Sequence, residues 1–452
     1  MDKERGFYRR ILAIALPIMI QNGITNFVNL LDNIMVGQLG VEQMAGASIV
    51  NQLIFVYNLC IFGGLAGAGI FTTQYYGAED KEGLQNTVRY KLWLAFGITV
   101  LAGLILGSYG TELIKSYLVS GDTGLTLQAG SSYLRILLWS MPAFALVQVY
   151  VSTLKECGET RLPMWASMIS VFTNLVLNYL LIYGKYGFPK MGIKGAAAAT
   201  VAARFVELGI VLMWPHGRKA YSFTVGLYRT LKVPWKSVKV FVWKGFPLLI
   251  NEALWASAMA VLTGCYAKEG LVTVAALSIA NTLNNLLNII FGALGETVAI
   301  LVGQLLGAGR MKEAKKADDK LLLFCVASGG AVLIVMMLIA PVFPKLYQVD
   351  ETTRGLASAF IRVQGLYAVQ SAFLNGAYFT LRAGGKTKLT FLFDCGFIWM
   401  VNIPVAFVLV KYTGFSPVLV YAIVQGSEIL KVGIGYLLVK KEIWIQNIVL
   451  ET

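Results

Sequence analysis

One histidine, His216, serves the whole chain of 452 residues, and it opens a loop between two apolar runs. With a single imidazole no relay of intramembrane histidines can be assembled, and the sequence shows no Ser/His/Asp or zinc constellation. Cysteine is scarce as well. Cys60, Cys265, Cys325 and Cys395 lie in apolar runs and Cys157 in a short loop, an odd number without metal-site or disulfide spacing, so they read as packing residues. No phosphate-binding G-x-x-x-x-G-K-[ST] loop occurs: "RAGGKTK" (382–388) lacks the first glycine, and no polar segment is long enough for a nucleotide-binding domain. ATP-driven transport by this chain alone is therefore not expected.

Charge is the scarcest commodity. Only 14% of the residues are charged against 57% hydrophobic, with a mean hydropathy of +0.67, a surface that no water-soluble domain of this size tolerates. The chain reads as an all-α integral membrane protein. About 20 apolar residues cross the roughly 30 Å hydrocarbon core, and twelve such stretches occur, near 11–36, 45–72, 90–109, 132–152, 163–183, 192–214, 240–262, 273–300, 320–343, 358–381, 389–410 and 416–439. The first run continues past Pro17 for a full span, so it reads as a retained helix and not as a signal peptide. The net charge is +14, and most of the 38 Lys and Arg fall in the segments that are cytoplasmic if both termini are. That asymmetry is the positive-inside pattern of a multi-pass protein of the cytoplasmic membrane. The basic balance then reports topology and contact with the lipid bilayer, and no nucleic acid partner is needed.

The chain repeats itself. Displacing the numbering by 230 puts Pro17 on Pro247, Gly40 on Gly270, and Ala45, Ser48, Ile49, Asn51 and Leu53 on Ala275, Ser278, Ile279, Asn281 and Leu283. Gln74, Gly77 and Ala78 fall on Gln304, Gly307 and Ala308; at a displacement of 227, Arg135 meets Arg362 and "CGETR" (157–161) meets "GGKTK" (384–388). The expected organisation is two pseudo-symmetric six-helix bundles, 1–214 and 240–452, joined by the basic loop 215–239. An even number of spans per half keeps both copies in one orientation, with a substrate path between them, the plan of carriers that work by alternating access.

Each intramembrane charge costs roughly 2.5–3.5 kcal/mol on insertion scales and needs a reason. Six acids fall in the spans: Asp32, Glu207, Glu252, Glu296, Asp394 and Glu428. Arg204 with Glu207, and Glu428 with Lys431, are spaced i,i+3 and read as structural pairs on one helix face. Glu296 and Asp394 lie near span ends, within reach of interfacial water, and either role suits them. Glu252 is about ten residues into its span, at mid-membrane, where a functional role is favoured over a structural one.

Asp32 lies in the outer half of the first span, on or beside a stripe of Asn22, Asn26, Asn29 and Asn33. In the fifth span Asn174 and Asn178 share a face at i,i+4, and Thr200 adds a hydroxyl at the start of the sixth. One carboxylate with amide and hydroxyl oxygens can take a proton or a small hard cation such as Na⁺. The bland alternative is an interhelical hydrogen-bond cluster. A second stripe, Asn281, Asn284, Asn285 and Asn288, reads as the wall of a central cavity, although helix glue would look the same. Tyr57, Trp139, Tyr150, Trp255 and Met259 would suit a flat apolar cation, or equally the core or the lipid face.

The stretch "ALPIMIQNGITNFVNLLDNIMVGQLGVEQMAGASI" (15–49), with "FTTQYYGAEDKE" (71–82) and "VGQLLGAGRMKEA" (302–314) at matching places in the two halves, resembles the multidrug and toxic compound extrusion (MATE) family, nearer its NorM-like bacterial members. The resemblance covers nearly the whole chain. It implies a V-shaped pair of six-helix bundles, functional as a monomer without a cofactor, that exports organic cations or drugs in exchange for Na⁺ or H⁺. It puts the family's first-helix aspartate at Asp32, its fifth-helix amide pair at Asn174 and Asn178, and its sixth-helix threonine at Thr200; if the ion is Na⁺, Asp32, Asn174 and Asn178 would hold it. Some members carry an aspartate where Asn178 stands. The seventh-helix glutamate corresponds to Glu252, one turn nearer the proline than expected, and the tenth-helix acid has no counterpart here.

The reading at this level is a secondary antiporter in which Asp32, Asn174, Asn178 and Thr200 hold the coupling ion. Glu252, Asn281, Asn284, Asn285, Asn288, Trp255, Met259, Tyr57 and Asn29 would line the substrate cavity. A flippase for lipid-linked precursors would prefer cationic residues there, whereas the unpaired buried charges are acidic. A channel or sensor without coupling would pass its solute downhill only.

Overall fold

The computed structural model describes residues 2–118, 123–218, 221 and 223–450. Among them there is no strand. Helices α1 (Asp2–Gly37), α2 (Val41–Gly77), α3 (Lys81–Tyr117), α4 (Thr123–Leu137), α5 (Ser140–Glu156), α6 (Arg161–Tyr183) and α7 (Ile193–His216) form the first half. The second comprises α8 (Trp235–Ala267), α9 (Leu271–Gly307), α10 (Met311–Ile339), α11 (Glu351–Ala383), α12 (Thr387–Phe391), α13 (Ile403–Tyr412) and α14 (Pro417–Lys440).

Among the described residues ten spans are long and apolar enough to cross a membrane, counting α12 to α13 as one, and α4 with α5 makes an eleventh, bent by 49°. The bend has a cause in the sequence. Pro142 has no N–H to return to the Leu138 carbonyl, and the helix is interrupted at Leu138 and Trp139. The remaining helix, α11, has 33 residues, ample to cross, but is too polar to join that set. Part of its polar surface faces protein: α9, α10 and α14 pack around it, and Gln364 and Thr380 are buried, while Arg362 is exposed.

The repeat is written in the backbone. Gly40 and Gly270, at φ +114° and +105°, turn the chain into α2 and α9, while Glu79 and Gly309, at +59° and +72°, turn it into α3 and α10. Pro17, inside α1, leaves the Ala13 carbonyl without its helical donor, and the Thr160 hydroxyl donates to it at 3.3 Å.

The chain forms two compact units, Met1–Thr72 with Asp80–Val242, and Thr73–Glu79 with Trp243–Thr452. In the first, α6 packs on α1 and α7. The small residues "GAAAAT" (195–200) allow the close approach: a Cβ on Gly195 would lie 2.7 Å from the Leu181 backbone. In the second unit, Gly295, Gly329 and Gly376 let α9, α10 and α11 meet, a Cβ on Gly295 falling 2.3 Å from Asn375 and Phe379. The end of α2 packs on the end of α9, where Gly77 faces Gln304 and Gly307 faces Gln74, reciprocal contacts of repeat mates. After α14 the chain folds back: Trp444 is buried, Ile448 N donates to Gln74 Oε1 at 2.9 Å, and Asn447 Nδ2 to the Gly307 carbonyl at 3.0 Å.

Between α12 and α13 run two π-helical turns, Leu392–Gly396 and Ile398–Asn402. They absorb one residue relative to the first half, since Arg161 matches Lys388 at a displacement of 227 and Asn174 matches Asn402 at 228. The wider turns shift which side chains face α8 and α14.

Candidate cation sites in the two units

In the first unit the packing of α1, α6 and α7 brings Asp32, Asn174, Asn178 and Thr200 together. Asn178 Nδ2 donates to Asp32 Oδ1 at 2.7 Å. The Asn174 amide satisfies both its ends when its nitrogen faces Asp32, 2.9 and 3.0 Å from the two carboxylate oxygens, and its oxygen accepts from the Thr200 N–H at 3.3 Å. The Thr200 hydroxyl donates to the Ala196 carbonyl at 3.1 Å. Both asparagines are buried, and Asp32 is half-buried. Asn178 Oδ1 is also buried and finds no hydrogen-bond partner among the described residues. An orphan carbonyl oxygen beside a carboxylate is a group of hard-cation ligands with one bond unmade. Arg204 is close enough to act electrostatically on Asp32, but its charge is engaged by Glu207 at 2.8 Å, the expected i,i+3 pair.

The second unit holds a cavity of about 380 Å³ bounded by α8, α11, the π-helical stretch and α14. Glu252, Trp255 and Met259 line it from α8, with Asn375, Tyr378 and Phe379 from α11, Asp394 from the π-helical stretch, and Glu428 and Lys431 from α14. Sequence reasoning passed over Asn251 and Asn402 and paired Lys431 with the wrong carboxylate. Lys431 does not pair with Glu428 on its own helix as expected. Its ammonium lies 3.0 Å from Asp394 Oδ1, across from α14, because the π-helical turns bring Asp394 to it. Asn402 Nδ2 donates to Glu428 Oε1 at 2.9 Å instead. Asn251, 2% exposed, donates to Asp394 Oδ2 at 3.2 Å, and its own Oδ1 is without a partner among the described residues. The adjacency "NE" at 251–252 was the available signal for Asn251.

Other expected cavity residues fall elsewhere. Tyr57 is 3% exposed, and its hydroxyl donates to the Met141 carbonyl at 2.8 Å and meets Thr99 at 2.9 Å, so it packs within the first unit, away from the cavity that holds Glu252. Tyr150 is fully buried, with its hydroxyl on that of Tyr228. Trp139 is 72% exposed at the α4–α5 break. Asn281 accepts from Gln364 Nε2 at 2.9 Å, the role of a helix tie. Asn284 and Asn288 are half-buried and Asn285 is exposed on α9, outside the cavity that holds Glu252. The side chain of Asn29 lies outside the described residues. Glu296 makes polar contacts within the protein and is outside both sites.

Comparison with known proteins agrees with this architecture. The sequence profile of the MatE family matches residues 17–180 and 247–408, one segment in each half. A protein of Thermotoga maritima named "Probable multidrug resistance protein NorM" is 27% identical over 89% of this chain and 86% of its own length. "Multidrug resistance protein PmpM" of Pseudomonas aeruginosa is 26% identical over 89% of this chain and 84% of its own. Among solved structures, the "Crystal structure of MATE in the bent conformation" superimposes with a TM-score of 0.87 over 96% of this chain and 95% of that one, at 20% identity, a likeness of fold.

Proposed function

The chain belongs to the MatE family of membrane transporters, and from that premise we propose that it is a secondary antiporter that exports organic cations or drugs in exchange for Na⁺ or H⁺. Its relatives are named as multidrug resistance proteins, not as enzymes. The observation that carries the proposal is the Asp32 carboxylate held between two buried amides, with an orphan amide oxygen beside it. An ionised Asp32 is served by both amide nitrogens. A proton or Na⁺ on Asp32 reverses that preference, because a protonated carboxyl must donate and a hard cation seeks oxygen. Loading would then turn the Asn174 amide end for end and pass the change to Thr200 on α7. Two halves of like orientation suit alternating access, with both termini cytoplasmic, a single chain as the working unit and no cofactor beyond the coupling ion. Glu252 in the second unit supplies a carboxylate for the cationic substrate.

The driving force suffices: in one-for-one exchange of cations no net charge moves, and about a 50-fold gradient of the coupling ion supplies about 2.3 kcal/mol, enough to sustain an equal gradient of a monocation. The test is ethidium efflux from proteoliposomes with Na⁺ and pH gradients imposed separately. One of the two gradients should drive uphill efflux in the parent chain and fail to do so in Asp32→Asn at matched protein density. Uphill efflux equal to the parent's in that variant would remove Asp32 from coupling. Downhill flux indifferent to either gradient would indicate a channel instead, and transport only of lipid-linked anions a flippase.

A further inference from the structure

Lys431 is the one feature of the second-unit cavity that an organic-cation site does not call for. It is 6% exposed and projects a cation into a space lined by three carboxylates, Glu252, Asp394 and Glu428. Arg382 also acts electrostatically on Glu252, from over the Phe379 ring and outside the lining. The cavity is more than a cluster of acids. Its volume is in the range of small-molecule sites, and Trp255 and Tyr378 supply aromatic walls. Asn251 adds a buried carbonyl oxygen still lacking a partner among the described residues.

Lys431 has two carboxylates in reach. Asp394 holds it at 3.0 Å, and Glu428 stands one turn before it on α14, fixed by Asn402. A helical lysine next to an i−3 carboxylate can exchange between partners without backbone movement. Its repeat mate Arg204, at a displacement of 227, has no such choice, since Glu207 on the same helix engages it.

We infer that Lys431 is a tethered competitor in this cavity: its ammonium occupies Asp394 until an organic cation takes its place, and so it sets the charge of the cation that the second unit accepts. The inference rests on the organic-cation reading above. Lys431 in the lining and Arg382 behind it leave three carboxylates short of one positive charge, which suits a monocation, or a dication once Lys431 has left Asp394. The electrostatic part of binding scales with ligand charge. Removing one fixed positive charge must therefore raise the logarithm of the affinity twice as much for a dication as for a monocation of the same shape.

Ethidium and propidium share one aromatic ring system and carry one and two charges, so they make the comparison directly. Both would be titrated by fluorescence into the purified full chain in lipid nanodiscs, with the dyes' response to empty discs subtracted. Lys431→Met should tighten ethidium and tighten propidium by the square of that factor, for example 5-fold and 25-fold. Asp394→Asn should weaken both in the same two-to-one logarithmic ratio, and Lys431→Arg, which keeps the charge, should retain the parent's propidium-to-ethidium ratio. Equal shifts for the two dyes, no shift in Lys431→Met, or no binding by the parent would each overturn the inference. Should Lys431→Met not fold, the Asp394→Asn and Lys431→Arg pair decides it by the same ratio. Gradient-driven ethidium efflux by the same preparation reports separately on the antiporter reading, which stands if efflux persists while the ratios fail and falls if efflux is absent.

Discussion

The two units share a frame and differ in where they place negative charge. Asp32 of the first falls on Leu262 of the second, and Leu262 is buried in an apolar cluster with Ala258, Tyr266 and Leu283. The second unit carries its carboxylates elsewhere. Asn402 stands where Asn174 does, one residue later, and Ser427 matches Thr200, but the acid beside them is Glu428, on α14 itself. Each unit thus keeps an amide and a hydroxyl at corresponding places and brings a carboxylate to them by a different route. The first site is one acid among neutral oxygens, suited to a small ion. The second is a roomier mixed-charge cavity with aromatic walls, suited to an organic cation. On the proposed function, divergence of a few side chains between the two copies is enough to divide the labour.

The sharpest way to break this division is to neutralise one acid in each unit. Asp32→Asn should reduce to unity the dye accumulation ratio that an imposed coupling-ion gradient sustains at zero membrane potential, where about a 50-fold ion gradient sustains a ratio of about 50 in the parent. Glu252→Gln should leave the chain able to couple but raise the dye concentration needed for half-maximal efflux. The readout is efflux in proteoliposomes over a dye titration, with and without a gradient. If Asp32→Asn changed only the half-maximal concentration and Glu252→Gln abolished uphill transport, the roles of the units would be reversed.

A second contrast concerns packing. A Cβ at Gly307 would lie 1.9 Å from the Gln74 carbonyl oxygen, backbone that cannot move aside, while one at Gly195 would lie 2.7 Å from Leu181. Overpacking of this kind costs about 1–3 kcal/mol. Gly307→Ala should therefore lower the thermal midpoint of the detergent-solubilised chain more than Gly195→Ala does. The reverse order would show that the α6–α7 contact is the less forgiving of the two.

What the sequence made legible follows from how far one helical period can be trusted. The repeat, the spans and the shared face of Asn174 and Asn178 needed only a regular α-helix, in which residues four apart share a face, whereas the meeting of that face with Asp32 was implied by the family resemblance. Asp394 and Lys431 were out of reach because the π-helical turns at 392–402 break that period, and no spacing rule carries across them. The supposed Glu428–Lys431 pair failed for a related reason. Adjacency on one helix establishes that two charges can meet, and here Asp394 and Asn402 on neighbouring elements engage them instead. Tyr57 shows a third limit: an aromatic in a span reads the same whether it faces a cavity or the core. Helix α11 shows a fourth, since its polar side chains are compatible with a membrane only through the helices around it.

The smaller effects sit at helix ends, where the units again differ. Asp80 caps α3, accepting from Gly83 N at 3.0 Å, whereas its repeat mate Arg310 precedes α10 without a side-chain cap. Asp80→Ala should cost about 1 kcal/mol, read as a fall in the thermal midpoint, and Arg310→Ala should cost less. At the other side of the membrane Asp350 caps α11 through the Thr353 hydroxyl and N–H, at 2.6 and 3.1 Å, and these bonds hold its carboxyl below the ordinary value of 3.8. A pKa depressed in the folded state gives stability that is present above 3.8 and lost as the pH falls through the folded value. The thermal midpoint of the parent chain should thus decline slightly below pH 4, and the decline should shrink in Asp350→Asn, which caps without titrating. An unchanged acid profile in that variant would mean that Asp350 does not stabilise the N-terminal end of α11 through its charge.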